Sequence, residues 1–240
     1  MRIAVLSDIH ANLVALDCVL AAIGAVDAVW HLGDVVGYGP EPDGVVARLR
    51  ERNAIGVRGN HDAAAVGGPE IEYFNSDARR AMEWTRKVIA GETRAWLAAL
   101  PERRSEQGFT LVHGSPRDPT WEYVTSASVA RPNLEAIQTT YCLHGHTHLP
   151  SVFRAEGGEV ETMRPDAGSK LVLDRRRILA NPGSVGQPRD GDPRAGCLVL
   201  DVELAQLTWH RMPYDIAATQ TAMRRLKLPD RLVERLDHGL

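Results

Sequence analysis

Three histidines fall within five residues at His144-Gly145-His146-Thr147-His148, in a chain of 240 residues that holds 9 histidines in all. Imidazoles at that spacing can grip one metal ion together, or hold one each of two ions about 4 Å apart. In extended backbone His146 and His148 share a face, roughly 6–7 Å apart at about 3.3 Å per residue. The glycine between the first two lets the backbone turn and approach a neighbouring group closely. Four further polar clusters belong with this one: Asp8-Ile9-His10, Gly33-Asp34, Gly59-Asn60-His61-Asp62 and His113-Gly114.

Each cluster alone is weak evidence, but the set spells a two-metal site. Asp8 and His10 fall on one side of an extended segment and share a first metal, which His148 completes. Asp34 uses its two carboxylate oxygens to bridge both metals. Asn60 offers a neutral oxygen to the second metal, and His113 and His146 offer nitrogens. A mixed nitrogen and oxygen shell suits manganese first, with iron, zinc, nickel or magnesium as the other fits, and not calcium. Two divalent ions against Asp8, Asp34 and a bridging hydroxide leave about one net positive charge, which favours a phosphate substrate. His61 is not needed in either shell and is placed to protonate the leaving oxygen as general acid.

The clusters sit where strands end. Arg2 to Leu6, Ala28 to Leu32 and Ala54 to Val57 read as short buried strands, with helices predicted over Leu13 to Ile23 and Pro42 to Arg50. Strand, polar loop and helix in alternation predict βαβ units with parallel strands. In such sheets ligands bind beyond the carboxyl ends of the strands, where Asp8, Asp34 and Asn60 fall. Residues 63–70 read as a small, flexible stretch. Asn75 to Leu100 reads as a helix broken near Gly91. Phe109 to His113 is a strand, Ser128 to Thr139 a helix despite Pro132, and Tyr141 to His144 a return to the sheet. Beyond Pro150 the texture changes to short alternating runs (151–155, 159–163, 169–173, 177–180, 196–202 and 207–211), which read as antiparallel strands. The Asn181-Pro-Gly-Ser-Val-Gly-Gln-Pro-Arg189 loop stands out among them, and 214–240 reads as amphipathic helices.

The other conspicuous residues have plainer expectations. His31 lies inside a strand and is expected in the core. His144 is expected behind the metal ligands, and His210 and His238 at the surface or in packing. Cys18, Cys142 and Cys197 read as buried free thiols, which fits a cytoplasmic protein. Arg58, Arg117 and Arg189 are the candidate phosphate-binding cations, and Tyr38, Trp121 and Tyr123 could stack on a nucleobase. A net charge of -3 and a charged fraction of 25% give no nucleic-acid or membrane signal. No apolar run approaches the roughly 20 residues of a membrane span, and the N-terminus does not read as a secretory signal. The chain is expected to be one domain over 1–240, with its core in about 1–211. Its expected partner is a small phosphorylated substrate, with oligomeric state left open.

This combination of motifs resembles the calcineurin-like metallophosphoesterase superfamily over roughly residues 1–200. The resemblance implies an α/β class fold, an α/β/β/α sandwich of two mixed sheets flanked by helices, with two metals carried by the residues named above. The first loop and Gly33-Asp34-Val-Val-Gly-Tyr-Gly-Pro are similar to those of the bacterial and archaeal small phosphodiesterases, as is the Asn181-Pro-Gly-Ser-Val-Gly loop. It implies hydrolysis of a phosphodiester or a nucleotide polyphosphate, such as a diadenosine polyphosphate, by attack of a hydroxide bridging the metals. The sequence departs from the serine/threonine protein phosphatases of this superfamily. Those follow Gly-Asp with an Asp that supports the acid histidine and an Arg that binds phosphate, and Gly37 and Tyr38 stand here instead. A protein phosphatase or phosphomonoesterase is therefore the secondary reading. A non-catalytic scaffold on the same fold is a third, set against the full complement of ligands.

Overall fold

Arg2–Leu6 alternates Ile3 and Val5 on one face with Ala4 and Leu6 on the other, and all four are fully buried. A strand apolar on both faces must be covered on both sides, and the computed structural model, which describes residues 1–240, shows how. In chain order the elements are β1 (Arg2–Leu6), α1 (Leu13–Ala22), β2 (Ala28–His31), α2 (Pro42–Glu51), β3 (Ile55–Gly56) and α3 (Asn60–Ala65). After them come α4 (Ser76–Val88), α5 (Gly91–Ala98), β4 (Arg103–Glu106), β5 (Phe109–Val112), α6 (Ala127–Ala136) and β6 (Tyr141–Leu143). The remainder is β7 (Ser151–Glu156), β8 (Glu159–Met163), β9 (Lys170–Val172), β10 (Ile178–Asn181), β11 (Ala195–Asp201), β12 (Gln206–Met212), α7 (Ile216–Arg225) and α8 (Asp230–Glu234).

The strands form two six-stranded mixed sheets, ordered β3-β2-β1-β11-β12-β9 and β4-β5-β6-β10-β7-β8. In the first, β1, β2 and β3 are parallel and β11 runs antiparallel to β1. In the second, β5, β6 and β10 are parallel, flanked by antiparallel β4 and β7. Ile3, Val5, Trp30 and Leu198 of one sheet pack with Phe109, Leu111, Leu143 and Ile178 of the other, so the main seam lies between the sheets. The outer face of the first sheet (Ala4, Leu6, Val199) is covered by Leu16 and Val19 of α1 and Val45 and Leu49 of α2. The outer face of the second (Val112, Cys142, Leu179) is covered by Ala130 and Leu134 of α6. This is the α/β/β/α layering expected of the fold class.

Several local expectations change. Asn60–Ala65 is a short helix rather than loop, and Pro69–Tyr73 is a turn of 3-10 helix within the stretch read as flexible. The break expected near Gly91 in the 75–100 helix is present, at Ile89, whose extended ψ of 132° ends α4 before α5 begins. Arg103–Glu106 was not expected as a strand. Its sequence RRSE carries no apolar alternation, because as an edge strand it needs hydrogen bonds to β5 but little burial.

Candidate metal centre

The parallel strands of both sheets point their carboxyl ends at one rim. β1, β2 and β3 deliver Asp8, Asp34 and Asn60, while β5 and β6 deliver His113 and the His146 and His148 pair. These loops are not extended, contrary to the alternation argument. Asp8, His10, Asp34, His146 and His148 have φ of 52°, 49°, 50°, 66° and 60°. Left-handed backbone at non-glycine residues costs about 1 kcal/mol or more each, and it persists only where the surroundings enforce it. Sharp local turns, not shared strand faces, aim these side chains inward.

Interloop hydrogen bonds do the enforcing. The backbone N–H groups of Asp8, His10 and Ala11 donate to the carbonyls of Gly33, Asp34 and Val35. Val185 and Gly186 donate to Ser7 and Asp8, and the Ser184 hydroxyl donates to the Asp8 carbonyl at 2.7 Å. Gly145 sits so close to the first loop that a Cβ there would lie 1.9 Å from Ser7 Oγ. That contact accounts for a glycine between His144 and His146.

Three groups of potential ligand atoms result, each with its atoms within 4.8 Å of one another: Asp8, His10 and His148 in a first, Asp34, His113 and His146 in a second, and His10, Asp34 and His61 between them. In the first, His10 Nε2 and His148 Nε2 are 3.1 Å apart, and Asp8 Oδ1 is 3.3 Å from His148 Nε2. In the second, His113 Nε2 lies 3.0 Å from Asn60 Oδ1, 3.0 Å from His146 Nδ1 and 3.3 Å from Asp34 Oδ2. Nitrogens bound about 2.1 Å from one ion stand roughly 3–3.4 Å apart, so both groups have the spacing of a coordination shell.

Tautomers sharpen the fit. His10 Nδ1 donates to Val36 O at 3.3 Å, His113 Nδ1 to Leu32 O at 2.8 Å and His148 Nδ1 to Gln187 O at 2.5 Å. A carbonyl only accepts, so each Nδ1 carries a hydrogen and Nε2 is the nitrogen turned inward, with its lone pair free in neutral His10 and His148. Asp8 Oδ2 is occupied by the Ser7 hydroxyl at 2.6 Å and the His146 N–H at 3.1 Å, while buried Asp8 Oδ1 has no donor. Carboxylate oxygens and inward imidazole nitrogens, packed around two points, call for cations. The residues fit a pair of divalent metal ions.

Asp34 differs in detail from the expectation of two bridging oxygens. Its Oδ1 accepts from the His61 backbone N–H at 2.9 Å. Its Oδ2 alone lies 3.8 Å from His10 Nε2 and 3.3 Å from His113 Nε2, so one oxygen faces both groups.

The electrostatics follow from burial. Desolvation holds His10, His146 and His148 well below the ordinary imidazole range, so they are neutral lone-pair donors. Burial opposes charge on His113 too, but Asp34 beside it outweighs that and raises its pKa to about 9. Burial likewise opposes charge on Asp34, yet His113 and His61 hold its carboxyl well below the usual range. Burial raises Asp8 to about 6.

His61 stands at the cavity wall. One of its nitrogens falls within the same 4.8 Å grouping as His10 and Asp34. Its ring stacks on Phe74 at 4.4 Å and meets Tyr38 at 4.3 Å and His10 at 4.8 Å. Its buried Nδ1 has no polar partner, because Gly37 backs it where the protein phosphatases carry an Asp. Aromatic walls orient this ring. Burial lowers its pKa to about 4.

The cavity above these groups encloses about 510 Å³ and is walled by Tyr38, Phe74, Trp121, Tyr123 and Arg189. Tyr123 lies flat on His146, with ring centroids 3.9 Å apart and planes at 18°. Arg189 is the one basic side chain on this wall. Arg58, by contrast, is not at the site. It follows β3 but turns to Glu102 at 3.3 Å, its backbone N–H held by Pro101 O. Arg117 turns to Glu122 at 3.9 Å. His144 is buried, with Nδ1 3.4 Å from the Asn181 amide, and belongs to neither ligand group. His31 is buried against Trp96 at 5.4 Å.

Two supporting roles were not foreseen. Buried Asp62 accepts from the N–H groups of Gly59 at 3.0 Å and Val36 at 3.1 Å, tying the Asn60 loop to the Asp34 loop. Asn181 donates to Gly145 O at 2.8 Å and Thr147 Oγ1 at 3.1 Å, bracing the histidine loop. Asp62 has a sequence signal, an acid three residues after a capping position. Phe74, which stacks on His61, has none.

The sequence profile of the calcineurin-like phosphoesterase superfamily domain matches residues 1–204. The chain belongs to the calcineurin-like phosphoesterase superfamily. It is thus a hydrolase of the class acting on phosphoester bonds, in a family that typically depends on two metals. A metallophosphoesterase of Sphaerobacter thermophilus has a crystal structure 44% identical in sequence, with a TM-score of 0.93 over 100% of this chain and 99% of that one. An uncharacterized protein of Methanocaldococcus jannaschii is 36% identical over 248 residues, covering 99% of this chain and 98% of its own. The phosphodiesterase YfcE of Escherichia coli is 28% identical over 216 residues, 84% of this chain and 89% of its own. No helix is long and apolar enough to cross a membrane.

Proposed function

We propose that the chain is a dinuclear-metal phosphodiesterase or nucleotide-polyphosphate hydrolase. The observation that carries this reading is the pair of inward-facing carboxylate and imidazole groups that share Asp34 Oδ2 beneath an aromatic cavity. Asp8, His10 and His148 would hold one ion, and Asn60, His113 and His146 the other, with Asp34 serving both. Such ions supply Lewis acidity that activates water and neutralises phosphate charge. Manganese heads the metals that suit this shell.

The chain's own residues do the rest. Three backbone carbonyls take the Nδ1 hydrogens of His10, His113 and His148, so each ring, once neutral, presents Nε2 to a metal; His113, held protonated by Asp34, would give up its Nε2 proton on binding. His61, held by Phe74 and Tyr38 with Nδ1 shut in behind Gly37, turns its other nitrogen to the cavity. From there it protonates the oxygen of the departing group. Arg189, above the Tyr38 ring at 5.8 Å, binds the substrate phosphate in place of the Arg that Tyr38 replaces. The exposed Tyr123 ring and Trp121 give the leaving alcohol, or a nucleobase, an apolar shelf. The small phosphodiesterase relative favours this reading over a protein phosphatase.

Hydrolysis of an activated aryl phosphodiester with added Mn²⁺ tests it. Turnover is expected in the native sequence and its loss in Asp34→Ala. Equal rates in the two proteins would end the catalytic reading.

A further inference from the structure

Beside the metal cavity lies a second one, of about 640 Å³, that shares Tyr38, Asn75 and Arg189 as a common wall. Its far side is built by Arg231 of α8 and by Arg235 in the turn that follows, beyond the last residue of the family match. We propose that this cavity is a second anion subsite, which takes the neighbouring phosphate of a polyphosphate chain whose reacting phosphate sits at the metal centre. The proposal rests on the catalytic reading above for its substrate, though not for the subsite itself.

The arginines are placed as an anion site would place them. Arg189 Nη2 and Arg235 Nη1 converge on a single neutral acceptor, Gln187 Oε1, at 2.8 and 3.2 Å. No Asp or Glu carboxylate lies within ion-pair distance of Arg189, Arg231 or Arg235, whereas Arg176 and Arg194 at the surface and the mostly buried Arg211 each have one. Arg235 also donates to the Leu240 carbonyl, and Arg189 Nε is buried with no acceptor. Asp77, in the first turn of α4, is the one carboxylate on the wall, which leaves a net charge of about +2. Burial and the charge of Arg189 both lower the Arg235 pKa, to about 10, so the pair repel one another as they stand. Two guanidiniums that share one amide oxygen relieve that repulsion by taking an anion between them. The shared wall makes the spacing contiguous: Arg189 faces both cavities, so a phosphate in the second lies next to one in the first. A simple diester leaves this subsite empty, whereas a polyphosphate chain fills it.

The test is calorimetric titration with inorganic tripolyphosphate and, separately, inorganic monophosphate. It uses the native sequence and an Asp34→Ala protein, each with and without Arg235→Gln, Arg231→Gln or Arg235→Lys. Tripolyphosphate is expected to bind more tightly than monophosphate, and Arg235→Gln to weaken tripolyphosphate by about 10-fold or more in both backgrounds. Arg235→Lys should recover part of that loss, and circular dichroism should show all variants folded to the same degree. Tripolyphosphate binding unchanged in both glutamine variants would overturn the subsite, as would equal affinity for the two anions. The catalytic reading fails separately: arginine-dependent tripolyphosphate binding in a protein that hydrolyses no diester keeps the subsite and removes the enzyme.

Discussion

Gly37→Ala isolates the positioning of His61 from the holding of metal. Gly37 has φ of +91°, a region where an alanine costs about 1 kcal/mol or more. An added Cβ would also lie 2.4 Å from His61 Nδ1, against 3.4 Å for ordinary contact, and 2.9 Å from Met82 Cε. Met82 is flexible and can yield. The imidazole cannot retreat freely, because Phe74 stacks on it at 4.4 Å and Tyr38 is 4.3 Å away. Relief therefore moves the ring by about 1 Å, a displacement that typically costs on the order of 10²-fold at a reacting group.

None of the seven proposed ligands touches Gly37 so closely, so bound metal should be retained. The assay compares two diesters, one leaving as p-nitrophenolate and one as a simple alkoxide, with metal counted by mass spectrometry. A good leaving group needs little protonation, so its rate should fall only a few-fold. The alkoxide substrate should lose on the order of 10²-fold, with metal content equal to that of the native sequence. Equal losses on the two substrates, or metal lost in step with activity, would refute the assignment of His61 as proton donor and make Gly37 a structural glycine only.

The other expectations are simpler. His61→Asn should keep its metal and lose roughly 10²–10⁴-fold on the alkoxide substrate; metal loss in that variant would move His61 into the ligand shell. His31 gives a pH dependence unconnected with the metal centre. Burial lowers its pKa from 6.5 to about 3, so the folded protein holds it neutral while the unfolded chain protonates near 6.5. Above that value neither form is charged and stability is unaffected; below it the unfolded state alone takes the proton, and stability declines until the pH reaches about 3. At pH 5 the loss is on the order of 2 kcal/mol. Urea unfolding of His31→Leu should show a flatter pH slope between pH 7 and 5, and an identical slope would mean His31 is not the titrating group.

How much of this could be read from the chain follows from what each residue answers to. That Asp8, His10, Asp34, Asn60, His113, His146 and His148 gather at one rim was legible because the α/β frame restricts where the residues after each strand can lie. A carboxylate or imidazole directly after a buried strand has few other reasons to be there. Their geometry was not legible. Extended alternation gave a plausible way to pair Asp8 with His10, yet both sit in left-handed backbone, which only the neighbouring loops can enforce. Asp34 reads as a bridge by both oxygens until the His61 N–H takes one of them. The arginines show the same limit more sharply. Arg58 stands two residues before Asn60, yet Glu102 draws it outward, while Arg235 comes within reach of Arg189 through a shared amide 48 residues before it.

The orientation of His61 is a case where an absent residue was informative. Gly37 in place of an acidic residue left open what would hold the ring. The structure supplies an apolar answer, since Phe74 and Tyr38 fix the plane and Gly37 leaves Nδ1 without an acceptor. A carboxylate partner stabilises an imidazolium and raises its pKa, whereas burial between aromatic rings lowers it, here to about 4. An acid held that way is a stronger proton donor once protonated. Negative charge brought beside the ring favours its protonated form, and a phosphate bound at Arg189 would supply such charge.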